Sequence, residues 1–538
     1  MKESSAARGR SQYDDVRLSE QSSPCGELSG TDAVKWNPKL RGEVEAALPS
    51  RQEAFDADSD DDEARRAYAE VLFKLGDIWE ADEVIAPLGT TSSCHAGDLR
   101  LAARTAYLLG DYGRSAALNG RLLQLADIGS ELHDQAVRGL TLSHYQTGDF
   151  ARARELPAST EAEGPASLLA FMHAFEGEPY GIEWATDEKI AHLPMTNDIT
   201  QPGALPLVTL EINGEAVSLI LDTGGDRLYL DKGIFERIGL PVLTTDEARY
   251  AYTRGETVEE PLGVAETVTM GEVTLTNVPV VGATWKALGQ TSDGVLTTQI
   301  LNQFLTTVDY DNRRITFRER SAEALTKVMG TFGDTPPIEA PFYMTNTHLM
   351  FAKGSLNGHE GMNFFMDSGL AASMPLVVVD ETVEFLGLKK NEIPGTTYYW
   401  SPIESHGLDG LASGPSHPEG GAPPSPPARG GSAALGNVFV EEDFFWQFGF
   451  MADALISHQY LWPKGSWTID FDNMKYYFRH AQDGPAFQVH RLRLYCLVHK
   501  VRAAILHLCV RIVRVLPLLR RGATRREEPD PERATKGR

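Results

Sequence analysis

Leu219-Ile220-Leu221-Asp222-Thr223-Gly224-Gly225 is an apolar run that ends in an Asp-Thr-Gly turn, and Phe364-Phe365-Met366-Asp367-Ser368-Gly369-Leu370 repeats it 145 residues later. A carboxylate site demands this combination: an aspartate held at a strand end, a small hydroxyl residue to lock the turn by hydrogen bonds, and a glycine that lets two loops approach closely. One such triplet is an ordinary turn. Here the surroundings repeat as well. Pro206 to Asp222 reads as strand, Asn213-Gly214 turn, strand, and Leu356-Asn357-Gly358 holds the same place before Asp367. Downstream, Ser292-Asp293-Gly294-Val295-Leu296, a short helix at Ile300-Leu301-Asn302-Gln303-Phe304 and a strand-turn at Thr307-Val308-Asp309-Tyr310-Asp311-Asn312 close the first copy. Ala452-Asp453-Ala454-Leu455-Ile456 and Thr468-Ile469-Asp470-Phe471-Asp472-Asn473 close the second. The closing Asp309 and Asp470 lie 161 residues apart, so the copies run in step with an insertion in the second. This is an internal duplication, and it points to one site built from two halves.

On these residues the chain resembles the aspartic peptidases, both the bilobal pepsin-like and the shorter retropepsin-like kind. The resemblance covers about Leu205 to His480. It implies an all-β, two-lobed acid-protease barrel with Asp222 and Asp367 as the catalytic dyad, Thr223 and Ser368 as interlocking hydroxyls, and Gly224 and Gly369 as the permissive turn residues. It further implies hydrolysis of peptide bonds by an activated water, with neither cofactor nor metal, on an extended peptide or protein substrate. The family keeps a flap hairpin over its cleft, and Arg249-Tyr250-Ala251-Tyr252-Thr253-Arg254-Gly255 occupies that place, with Tyr250 and Tyr252 as flap candidates. Departures from the family pattern are Gly225 and Leu370 after the triplets and Ala454 where the first half has Gly294. Two other readings stand beside the endopeptidase: a catalytically inactive peptide-binding module, and a homodimer that pairs Asp222 with its own copy and leaves Asp367 structural.

The whole chain, 538 residues with 42% hydrophobic content, is long enough for three or so globular domains. Its formal net charge of −25 argues against nucleic acid as a partner. The cysteines Cys25, Cys94, Cys496 and Cys509 are far apart and lack metal-ligand spacing, which argues against a disulfide framework or a zinc site. Residues 1–59 open with a polar stretch that holds no apolar run long enough for a signal peptide, and they read as a disordered lead-in. Cytoplasmic residence is favoured on that ground. Residues 60–189 are helical and repeat: Gly76-Asp77, Gly110-Asp111 and Gly148-Asp149 fall 34 and 38 residues apart, each followed four positions after the aspartate by a small residue. That period resembles tetratricopeptide repeats, in which glycine ends the first helix of each pair and the small residue admits the second. A groove for a protein partner and a plain helical scaffold are both open readings of it.

The two protease lobes are read as 190–330 and 331–482, with a Pro/Gly-rich insertion over 407–436 expected to be a solvated loop. Residues 483–538 form a basic tail: from Arg491 onward thirteen Lys/Arg against four Asp/Glu give +9, which leaves −34 on the remainder. Lys500, His507, Arg511 and Arg514 fall on one stripe of a helix, with Leu497, Val501, Ile505, Leu508 and Ile512 away from it. Charges recur too often for a transmembrane span. Peripheral contact with an anionic membrane and docking on the acidic body of the same chain are the alternatives. The expected architecture is therefore multidomain α + β, helical repeats followed by a two-lobed all-β barrel.

Overall fold

The computed structural model describes residues 37–90, 95–157, 165–199, 204–249, 257–285, 291–345, 347–370, 375–392, 399–409, 411, 432–436 and 448–479. The flap candidates Tyr250 and Tyr252, residues 412–431 of the insertion and the whole basic tail lie outside them.

Helices fill the first third. Pro38–Ala57 is a helix where the sequence reading expects an unstructured lead-in. Its start is written locally: the Asn37 side chain accepts the Leu40 N–H, and Pro38 stands where no donor is needed. Its length is held by tertiary contacts that composition does not reveal, since Val44 and the charged Arg41 are its buried residues. Asp62–Leu75, Ile78–Thr90, Ala96–Leu108, Tyr112–Leu125, Glu131–Thr147 and the short Phe150–Ala153 follow, each packed on the next. The repeat spacing does its expected local work. Gly76, Gly110 and Gly148 turn the chain with φ of 78°, 79° and 69°, a left-handed conformation that disfavours a side chain. Asp111 and Asp149 then cap the next helices by accepting the Arg114 and Arg152 N–H groups. Ala81, Ser115 and Ala153, four residues past each aspartate, are buried. The apolar run that begins at Leu168 lies in a further helix, Pro165–Ala174, where Phe171 and Phe175 pack on Phe150.

The remainder is β-sheet. Leu207–Ile212 and Glu215–Asp222 form a hairpin around the Asn213-Gly214 turn, and Glu215–Asp222 runs parallel to Gly294–Thr297 with Leu219 opposite Gly294. The second half repeats this register: His359–Met366 runs parallel to Ala454–Ile456 with Phe364 opposite Ala454. In both halves the paired residue lies three positions before the aspartate. Gly181–Trp184 pairs with Val273–Ala283, so the first lobe's sheet begins ahead of residue 190. The closing strands Leu305–Asp309 and Ser466–Asp470 pair antiparallel, Thr306 opposite Ile469, and bring strands of both halves into one 14-stranded sheet beside the 8-stranded sheet that holds Glu215–Asp222. Val242–Arg249 and Thr257–Met270 pair antiparallel over a long ladder, and the flap candidates between them lie outside the described residues. Both ends of the expected loop at 407–436 are strands: His406–Leu408 pairs with Leu349–Leu356, and Ser432–Gly436 with Tyr399–Ile403. A backbone ladder needs no large apolar side chain, which is why composition hides these strands.

Helices and lobes share cores. Phe73 of the helical region packs in one cluster with Tyr343, Phe351, Phe365, Phe448 and Phe450 of the second lobe. Tyr145, Phe150 and Phe171 pack with Tyr229, Leu262 and Val281 of the first. Apolar residues of the helical region are buried together with those of both lobes, so burial fixes the helical region against both.

Candidate active site

Each aspartate turn is set by a buried strand and by a second aspartate behind it. In the first lobe Asp293 accepts the Ser218 N–H at 2.9 Å and donates its own N–H to the Ser218 carbonyl at 2.7 Å. In the second, Asp453 accepts the Asn363 N–H at 2.7 Å and donates to the Asn363 carbonyl at 2.9 Å. Ser218 and Asn363 each stand four residues before a triplet, so the two turns leave their sheets from equivalent anchors.

The turns then lock into each other. Thr223 and Ser368 are fully buried. The Thr223 N–H donates to Ser368 Oγ at 3.0 Å and the Ser368 N–H to Thr223 Oγ1 at 2.9 Å. The two hydroxyls reach across in turn, Thr223 Oγ1 to the Met366 carbonyl at 2.7 Å and Ser368 Oγ to the Leu221 carbonyl at 3.2 Å. Four buried hydrogen bonds thus hold Asp222 and Asp367 face to face, and a residue without a hydroxyl would leave buried donors and acceptors unpaired. Gly224 donates to Asp222 Oδ1 at 2.7 Å, and Gly369 to Asp367 Oδ1 at 3.0 Å. Each glycine also lies over the opposite carboxylate: a methyl group at Gly224 would sit 2.8 Å from the Asp367 carboxyl carbon, and one at Gly369 would overlap that of Asp222. Close approach is the reason for glycine here.

The half-buried carboxyl groups hydrogen-bond one another. Burial pushes the Asp222 carboxyl above its ordinary value, against the opposing pull of the Gly224 N–H and Asp367. Burial, the charge of Asp222 and the hydrogen bond between them push Asp367 well above the usual carboxylate range. Two carboxylates at this separation cannot both ionise cheaply, so the pair keeps one shared proton across a broad pH interval.

The sequence reading brings Asp222, Thr223, Gly224, Asp367, Ser368 and Gly369 together, and the structure places all six at one point. Of the residues near them, the reading treats His348 and His359 only as surface or turn residues and does not single out Asp226. Asp226 is drawn upward by burial, yet Arg227, His348 and the Tyr229 hydroxyl hold it down to about 2. His348 stands in the turn between Ile338–Thr345 and Leu349–Leu356 of the second lobe. Burial pulls its imidazole below the ordinary value, while Asp226 and the Gly224 backbone of the first lobe push it up. Its near position to the second triplet in sequence carries no hint of these first-lobe neighbours. His359 is different: it faces Glu45 of the first helix at 3.2 Å, away from the carboxyl pair. Among the described residues no cluster of His, Cys, Asp and Glu is arranged to hold a metal ion.

Residues 208–300 match the model of an aspartyl protease family. No curated protein matches the chain. Among solved structures, the chain is similar to basic 7S globulin from soybean, at 12% identity and a TM-score of 0.31 over 55% of this chain and 97% of that one. It is similar to conglutin gamma from lupine seeds at 10% identity and a TM-score of 0.35, over 55% and 96%. It is also similar to a retropepsin-like aspartic protease from Rickettsia conorii, at 13% identity and a TM-score of 0.19 over 26% of this chain and 94% of that chain. The residues from Val208 to Ile300 that match the family model include the first aspartate turn and its Asp293 anchor.

Proposed function

We propose that the chain is an aspartic endopeptidase in which Asp222 and Asp367 share one proton and act as a dyad within a single chain. The observation that carries this is the reciprocal Thr223–Ser368 interlock, which presses the two carboxyl groups into mutual hydrogen bonding. Such rigidity has a chemical use and costs buried polar groups to build. The ionised carboxylate takes a proton from water as its oxygen attacks the peptide carbonyl carbon. The protonated carboxyl hydrogen-bonds the developing oxyanion, the C–N bond then breaks, and a proton passes to the leaving nitrogen. An extended substrate would lie across both turns beneath the Val242–Arg249 and Thr257–Met270 hairpin, with its backbone paired to cleft strands. The helical region reads as a tetratricopeptide-like scaffold, since Phe73 and Arg104 of its first helices in each pair face the second lobe. The partner for Asp222 is in the same chain, so no second copy is called for.

The test is cleavage of a mixed peptide library across pH ~3 to ~8, read by mass spectrometry, for wild type, Asp222→Asn and Asp367→Asn. Both substitutions should lower cleavage at least ~1000-fold. Cleavage needs one carboxyl ionised and one protonated; it fails when acid protonates both and when base ionises both. Because both groups are pushed upward, the working interval lies above that of ordinary carboxyl groups. Wild type that cleaves nothing at any pH would leave the inactive binding module as the better account.

A further inference from the structure

The second aspartate turn is rooted in the helical region. Asn363 stands four residues before Asp367 on His359–Met366, and it is fully buried. Its side-chain amide donates to the Leu75 carbonyl at the end of helix Asp62–Leu75 at 2.9 Å and to the Met451 carbonyl at 2.7 Å, while its side-chain oxygen accepts the Tyr343 hydroxyl at 3.0 Å. Its backbone N–H donates to one oxygen of Asp453 at 2.7 Å, and Arg41 of helix Pro38–Ala57 holds the other oxygen. Asp453 leads into Ala454–Ile456, and the Ile456 carbonyl accepts the Asp367 N–H at 2.9 Å. Both backbone segments that carry Asp367 therefore start from this clamp. The fit is close: a methyl group at Gly76 would lie 2.4 Å from the Asn363 side-chain oxygen. The first lobe differs, for Ser218 at the equivalent place meets the Thr209 hydroxyl of its own hairpin at 3.3 Å.

We infer that Asn363 is a positioning residue for Asp367, and that the helical region, through Leu75-Gly76 and Arg41, is a strut that sets how Asp367 meets Asp222. The inference rests on the dyad proposed above. The reason lies in geometry. Four strand residues at about 3.3 Å each put Asn363 roughly 13 Å from Asp367, and a close-packed strand passes a shift at one end to the other. The Thr223–Ser368 interlock ties the two turns to each other, and the strut ties the second turn to the body behind it. In a site of this kind a displacement of about 1 Å costs on the order of 100-fold in rate.

Three variants of the full chain test this. Asn363→Ser puts the first-lobe residue type in the clamp, and the Leu75 carbonyl keeps the Lys353 ammonium as a donor. Gly76→Ala presses on Asn363 from the helical side. Gly148→Ala is the control for backbone strain: Gly148 makes the same left-handed turn, with φ of 69° against 78°, and a methyl group there would meet the Pro179 ring at 3.4 Å. In steady-state cleavage, Asn363→Ser and Gly76→Ala should lower kcat about 10- to 100-fold with KM little changed, and Gly148→Ala should stay close to wild type. Gly76→Ala combined with Asn363→Ser should be no slower than Asn363→Ser alone, because the short serine makes room for the methyl group. In 13C NMR of labelled aspartate side chains, the coupled titration of Asp222 and Asp367 should shift by about half a pH unit or more in Asn363→Ser and Gly76→Ala and stay in place in Gly148→Ala. The NMR readout does not depend on turnover. A shifted titration in an inert wild type would keep the strut and remove the peptidase reading. An active wild type in which Asn363→Ser and Gly76→Ala move kcat and titration no more than Gly148→Ala does would overturn the strut alone. Losses that add in the double variant would overturn it too, because Gly76 and Asn363 would then act separately.

Discussion

The two lobes carry the same aspartate turn on the same strand register but support it differently. In the first, Gly294 lets its strand pass so close to Tyr229 that a methyl group would overlap the Tyr229 carbonyl, and Thr298 at the start of the next helix bonds back to the turn. In the second, Ala454 stands at the place of Gly294 and His458 at the place of Thr298. The first lobe tightens around its own backbone; the second leans outward. Its anchor Asp453 is fully buried and takes, besides Asn363, the Thr382 hydroxyl at 2.8 Å and the guanidinium of Arg41 from the first helix. Asn363 and Lys353 also donate to the Leu75 carbonyl at the end of the second helix, both at 2.9 Å. The departures that make the second copy look eroded in sequence mark where the helical region has taken over its support.

The comparison can be broken most forcefully at Arg41. Arg41→Met leaves the Asp453 carboxylate buried without its cation and should cost about 3 to 5 kcal/mol in chemical denaturation. Adding Asp453→Asn should recover part of the loss; no recovery would mean that Arg41 acts by packing on Phe385 instead.

Acid should separate the lobes next. His406 and His458, both in the second lobe, are buried, and burial pulls their imidazoles down to about 4. Their neutral forms favour the fold fully above the unfolded value of about 6.5, and the benefit is lost as pH falls from there toward 4, up to roughly 3 kcal/mol for each ring. Hydrogen exchange at pH ~4.5 should show strands Ala454–Ile456 and His406–Leu408 losing protection before Glu215–Asp222 and Gly294–Thr297. Equal loss in both lobes would remove the distinction. His458→Thr should flatten the dependence of stability on pH, whatever its effect at neutral pH.

Where the lobes interlock, they should respond alike. Thr223→Val and Ser368→Ala each strand buried donors and acceptors and should cost about 1 to 3 kcal/mol, similar to each other within error. A clear inequality in thermal or urea unfolding would show that one turn dominates the interlock. The smallest effect belongs to Ala454→Gly, which restores the first-lobe residue type: about 0.5 to 1 kcal/mol of destabilisation through added chain freedom, with cleavage unchanged.

Much of the site was legible because its demands are local. A hydroxyl next to each aspartate and a glycine after it admit few substitutes, and the Asp293 and Asp453 anchors stand in matching sequence contexts. Helix boundaries in the repeat region were readable for the same reason, since Gly76, Gly110 and Gly148 are required by left-handed turns. Arg41 and His348 were not readable. Arg41 lies on a mostly polar helix and is held by Asp453, and His348 lies in a turn whose Thr347 carbonyl is held by Gln146. Gln146 and Asp453 are distant in the chain from the residues they hold, and nothing nearby in sequence changes to announce them.

The Arg41–Asp453 pair spans 412 residues. During synthesis at about 5 to 20 residues per second, Arg41 would emerge roughly 20 to 80 s before its counterion exists. The first aspartate turn would likewise wait for Ser368 before its interlock could close. A nascent chain that ends before Ser368 thus holds the first aspartate turn without its interlock. Under the reading proposed above, translation order itself would delay the chemistry until the second lobe is made.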